Sequence, residues 1–104
     1  MKSKRAKACE FSQKEREAIK ERDGNCCIIC GTSQSLTIAH YISRTKGLGI
    51  RQNGALFCFE HHGMMDNGSN TEMREALKAF FKGYLEGHYP GFSDEERKYK
   101  KWTY

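Results

Sequence analysis

The sequence predicts an α+β fold in which a small core of short strands is stapled by paired Cys and His residues and flanked by N-terminal and C-terminal helices. Three observations predict it. The chain has 104 residues, 38% of them hydrophobic, which suits one domain with a small core and excludes a two-domain enzyme. Helical spacing of apolar and charged residues runs through both ends, whereas residues 26–66 carry short apolar runs broken by Gly, Asn and Ser. Within that middle stretch stand Cys27-x-x-Cys30 and Cys58-x-x-His61, two pairs of soft ligands that can make up for a core too small to hold the chain folded alone.

Taken in order, Lys2, Lys4, Arg5 and Lys7 precede any acid, so residues 1–11 read as a basic arm, either mobile and suited to phosphates or simply a solvated terminus. The start runs into the polar ACEFSQKERE rather than an apolar signal core, and no apolar stretch reaches the roughly 18 residues of a membrane span. A soluble, cytoplasmic protein is expected. Ser12 with Glu15 forms a capping box that opens a supporting helix over 13–22. LTIAHYI and ALFCF are the strand candidates. Between them SRTKGLGIRQNG holds three glycines, three basic residues and no acid, a loop able to approach a phosphate backbone or merely to connect.

Asn70 or Thr71 caps the helix EMREALKAFFKGYLEG, ended by Gly87, whose Met73, Ala76, Leu77, Phe80, Phe81, Tyr84 and Leu85 are expected on the core face. Tyr89-Pro90-Gly91 breaks the chain, and Ser93 with Glu96 opens a final short helix ending at Trp102. No linker divides the sequence, so residues 12–104 are read as a single domain, with its stapled core at about 22–70 and a C-terminal helical part over 71–104.

The formal charge of +5 leans towards a polyanionic partner. Its distribution is uneven. Residues 1–22 carry eight basic and four acidic side chains, residues 23–70 three of each, and residues 71–104 seven and six, so the excess is mostly N-terminal. Five cysteines are an odd number with no sign of export, which favours metal ligation over disulfides. Cys27, Cys30, Cys58 and His61 supply four ligands and leave no open position, so they are expected to hold a structural Zn²⁺. Cys9 and Cys26 fall outside this set, with Cys26 the competing ligand if the register is shifted.

Inside the interval closed by these pairs stand His40, at the end of a strand candidate, then Asn53 ahead of ALF, then His61-His62 and Asp66. Together with DGNCCIICG (23–31) and CFEHH (58–62), this order resembles the HNH endonuclease family, in the compact zinc-knuckle form that phages encode, over about residues 22–66. The resemblance implies a ββα-metal core and metal-dependent hydrolysis of DNA phosphodiesters, in a bacterial cell or phage-infected host. It further implies His40 as general base, Asn53 as the residue that pins the loop carrying it, and His62 as ligand to a catalytic Mg²⁺, Mn²⁺ or Ni²⁺. Ala39 departs from the family pattern, because many members have an acidic metal ligand there. Asp66, four residues after His62 on one helix face, is the expected replacement.

Arg44, Lys46 and Arg51 of the loop, with Lys4 and Arg5 of the arm, are the expected contacts to DNA, mainly through its phosphates. A homodimer or a larger DNA-processing complex would be compatible with this reading. The competing readings are a zinc module that binds nucleic acid or protein without catalysis, which Ala39 favours, and an accessory subunit active only within such a complex.

Overall fold

Ser12 and Asn70 begin two of the helices where the sequence places them. The computed structural model describes residues 3–100. Ser3 caps a short helix α1 (Lys4–Ala8), and Ser12 caps α2 (Gln13–Arg22) by accepting a hydrogen bond from the Glu15 N–H. The chain then forms β1 (Leu36–His40), a 3-10 turn at Arg51–Asn53, β2 (Gly54–Cys58), α3 (Phe59–Asn67) and α4 (Thr71–His88), and ends in a second 3-10 turn at Glu95–Arg97. β1 and β2 pair antiparallel, with Leu36 opposite Cys58 and His40 opposite Gly54. A two-stranded ribbon is marginal in water, and here helices cover both of its faces.

One face of the ribbon carries Ala39, Ala55 and Phe57, buried together with Met65 of α3 and Leu77, Phe81 and Leu85 of α4. The other carries Leu56, buried with Phe11 and Ile19 of the N-terminal segment and α2. Small residues at 39 and 55 face each other across the ribbon and let the α3–α4 layer approach closely. A buried polar knot ties α2 to this arrangement. Asp23 accepts hydrogen bonds from Arg22, Tyr84 and the Leu56 N–H, while Arg22 also donates to the Arg51 and Gly54 carbonyls. Burial pushes the Tyr84 hydroxyl up to about 12, assisted by the Asp23 carboxylate beside it.

The predicted helix over 13–22 and the strand pair agree with the structure, and three sequence expectations change. The basic arm is not free: residues 4–8 are helical, Cys9 and Phe11 are buried, and the Ala8 carbonyl accepts the Gly49 N–H. On α4 only Leu77, Phe81 and Leu85 are buried, with Tyr84 half-buried; Met73, Ala76 and Phe80 are exposed because the sheet it covers is just two strands wide. The capping box at Ser93 and Glu96 forms but opens only a single 3-10 turn. Beyond it the chain turns extended, and Lys98 bridges Gly47. The expected helix end at Trp102 lies outside the described residues, as does Lys2. Among the described residues no helix is long and apolar enough to cross a membrane.

The glycine-rich loop serves the inside of the molecule. A Cβ at Gly47 would collide with the Ile42 carbonyl, one at Gly49 with the Glu10 backbone, and one at Gly54 with the Phe11 ring. Close approach is needed, but between segments of this chain.

Candidate metal centre and adjoining cleft

A turn and a helix start bring four soft ligands together. Cys27 opens a tight turn in which its carbonyl accepts the Gly31 N–H and its own N–H donates to the Thr32 carbonyl. Gly31 has φ +77°, a left-handed conformation that glycine adopts without strain. The Ile28 N–H donates to the Leu56 carbonyl and so fastens this turn to β2. Cys58 ends β2 and caps α3 through its sulfur, which accepts the His61 N–H.

The ligand atoms of Cys27, Cys30, Cys58 and His61 all lie within 4.8 Å of one another. Zn–S bonds of about 2.3 Å in a tetrahedron require sulfurs about 3.8 Å apart. Cys30 Sγ and Cys58 Sγ are 3.9 Å apart, and His61 Nδ1 lies 3.2 Å from Cys58 Sγ. The set therefore fits a structural metal such as zinc. Burial opposes ionisation of Cys27, but backbone N–H groups of Cys30, Cys58 and Ile29 outweigh it and bring the thiol down to about 7, towards the thiolate a metal binds. Cys26 is half-buried outside the quartet and Cys9 is buried far from it in sequence, beside His40.

His62 turns the other way, into a cleft of about 650 Å³ that His40, Asp66, Arg44 and Met65 also line. Its hydrogen bonds define its tautomer. Thr37 Oγ1 spends its one hydrogen on the Phe57 carbonyl, 2.9 Å away, so at 2.7 Å it accepts from His62 Nδ1–H. In the neutral ring Nε2 then carries a lone pair, and that atom stands 2.9 Å from Asp66 Oδ2. Two acceptors so placed are held together by a proton or by a cation between them. Asp66 is half-exposed and His62 more sheltered, and both stand at the wall of the cleft.

His40 ends β1 on the same cleft. Its Nε2 lies 2.6 Å from the Cys9 carbonyl, to which only an N–H can donate, so Nδ1 is left as the acceptor in the neutral ring. Phe11 lies against the imidazole with ring centroids 4.3 Å apart. Burial lowers the His40 pKa from its ordinary value; the Cys9 carbonyl works against this, and the nearby Arg44 and His62 add to it. Asn53 does not reach the cleft lining. It is 0% exposed, and its amide accepts from the Ile42 N–H and donates to the Ile42 and Leu48 carbonyls, pinning the turn that follows His40.

Ala39 is also 0% exposed, in the cluster of Ala55, Phe57 and Met65. A carboxylate there would be desolvated among apolar groups; the acidic side chains that line the cleft are Asp66 of α3 and Glu10.

The expected nucleic-acid contacts separate. Arg44 lines the cleft. Arg51 does not serve there: it forms a two-pronged ion pair with Glu15, which also accepts its backbone N–H, and this pairing holds the Glu15 carboxyl below its usual range. Arg5 donates to the Thr45 carbonyl, and Lys4 and Lys46 are exposed away from the cleft lining. Three cations that sequence reasoning left out line the cleft instead: Arg16 of α2, and Arg74 and Lys78 of α4. The spacing of Arg74 and Lys78, one helical turn apart beside the buried Leu77 and Phe81, was the available signal.

Comparison of the chain with family models, curated proteins and solved structures finds no match. Fold and geometry thus define the class: a small α+β domain with a Cys3His cluster able to hold a metal such as zinc, and a separate histidine-lined cleft.

Proposed function

We propose that the protein is a metal-dependent endonuclease of the HNH kind, hydrolysing DNA phosphodiester bonds. The observation that carries this reading is the convergence in one cleft of His40, with Nδ1 left as acceptor, and the His62–Asp66 pair. The β1–β2–α3 unit that presents them has the order of a ββα-metal core.

In this mechanism His40 Nδ1 takes the proton from a water aligned with phosphorus. The Cys9 carbonyl steadies the imidazolium that results, and Phe11 keeps the ring from rotating. His62 and Asp66 would hold a divalent cation, which supplies positive charge to the scissile phosphate and the leaving oxygen. Asn53 acts at one remove, by fixing the turn after His40. The Cys3His cluster carries no open position and stays structural.

A second reading, a zinc module that binds nucleic acid without cutting it, draws on Ala39, which removes the acidic ligand usual before the base. Supercoiled plasmid incubated with Mg²⁺, Mn²⁺ or Ni²⁺ separates the two. The nuclease reading expects cleavage by the natural chain and its loss in His40→Ala and Asp66→Ala. Absent cleavage, or equal cleavage by the natural chain and His40→Ala, would sink it.

A further inference from the structure

Seven arginines are present, and five of them are used up inside the fold. Arg5, Arg16, Arg22, Arg51 and Arg97 each donate to a carbonyl or carboxylate of this chain. The guanidinium groups of Arg44 and Arg74 have no hydrogen bond or ion pair among the described residues, and both line the cleft that holds His40 and His62. Lys78 shares that position, and Arg74 and Lys78 also line an adjoining groove of about 320 Å³ with Thr71 and Glu75. A fork of N–H donors left without a partner beside a cleft matches an oxygen-rich anion, and guanidinium matches phosphate geometry best.

We propose that Arg74 and Lys78 of α4 form a phosphate-binding track for a DNA strand that runs from the cleft, which Arg44 of the loop also lines, into the adjoining groove. The inference rests on the nuclease reading for the identity of the strand. It adds a binding site on a helix beyond the ββα unit. Residues one turn apart on a helix stand on one side of it, so both cations can engage successive phosphates of one strand. Leu77, Phe81 and Leu85 anchor α4 against the sheet, so the track is held rigidly relative to His40. Arg44, on the segment that follows β1, lines the same cleft as Arg74, Lys78, His62 and Asp66, so a strand held by these cations lies in the cleft that holds the pair.

Counterion release provides the test. Binding of a short fluorescein-labelled DNA duplex to zinc-loaded protein is measured by anisotropy between about 50 and 200 mM NaCl, without added divalent cation. Each neutralised phosphate contributes about −0.9 to the slope of log K against log salt. The doubly substituted chain Arg74→Gln/Lys78→Gln is expected to bind more weakly at low salt, with a slope shallower by about 2.

Lys20→Gln/Lys82→Gln removes the same charge at exposed positions that do not line the cleft. It is expected to keep the natural slope. Zinc content and the thermal midpoint of each variant establish that the fold is intact, as the exposed positions predict. A slope unchanged in the α4 pair, or reduced equally in the control pair, would overturn the track while leaving His40-dependent cleavage in place. A natural chain that binds no DNA would overturn the track as well, and loss of cleavage with binding retained would strike the nuclease reading alone.

Discussion

Replacing Asn53 by Ala removes a buried amide that makes three hydrogen bonds, to the Ile42 N–H, the Ile42 carbonyl and the Leu48 carbonyl. At about 1 kcal/mol each the loss is about 3 kcal/mol, rising towards about 5 kcal/mol where the stranded backbone groups stay without a partner. For a domain of this size about 4 °C of thermal midpoint accompanies each kcal/mol, so the midpoint should fall by about 12 to 20 °C. Asn53→Asp sharpens the expectation. It keeps an acceptor for the Ile42 N–H but turns a carboxylate oxygen towards the two carbonyls, which stand 3.1 and 2.9 Å from Asn53 Nδ2. It should therefore cost at least as much as alanine. Thermal unfolding followed by circular dichroism at saturating zinc measures both variants. A loss below about 1 kcal/mol in Asn53→Ala would refute the assignment of this side chain as the pin of the 42–48 turn.

Metal analysis should find one tightly held zinc per chain, and chelation or Cys58→Ser should abolish the cooperative unfolding transition, whereas Cys26→Ser should change neither; a zinc-free chain that still melts cooperatively would contradict this. Burial holds His40 below its ordinary 6.5, so the neutral ring persists to lower pH, and on the proposed nuclease reading the acid limb of a cleavage profile should lie below 6.5. The same depressed value makes the fold lose stability as pH falls below 6.5, because the unfolded chain then takes up a proton at this position more readily than the folded one; a midpoint that falls as steeply with pH in His40→Gln as in the natural chain would count against it. Gly49→Ala should cost about 1 to 3 kcal/mol by pushing the Glu10 backbone away, and should expose residues 3–11 to proteolysis while slowing cleavage, since the Cys9 carbonyl would no longer meet His40.

What was legible in the sequence was local. Cys27 and Cys30 lie three residues apart in one turn, Cys58 and His61 three apart at a helix start, and His62 and Asp66 four apart on α3; at such short range the backbone conformation alone determines which side chains meet. The same holds for the caps at Ser12 and Asn70, and each strand was legible singly from its own apolar run. What only the tertiary structure decided was the use of each charge and each apolar face across long separations. Glu15 reaches Arg51 and takes up a guanidinium that the sequence reading expected to face phosphates, while Arg74 and Lys78 arrive at the cleft from a helix read as core. Met73 and Phe80 stay exposed because a ribbon of two strands is too narrow to cover the whole apolar stripe of α4. The tautomer of His40 likewise depends on the carbonyl of Cys9, 31 residues away, which no spacing rule connects to it. Pairings of this kind are set by packing of distant segments, and a linear sequence carries no period from which to read them.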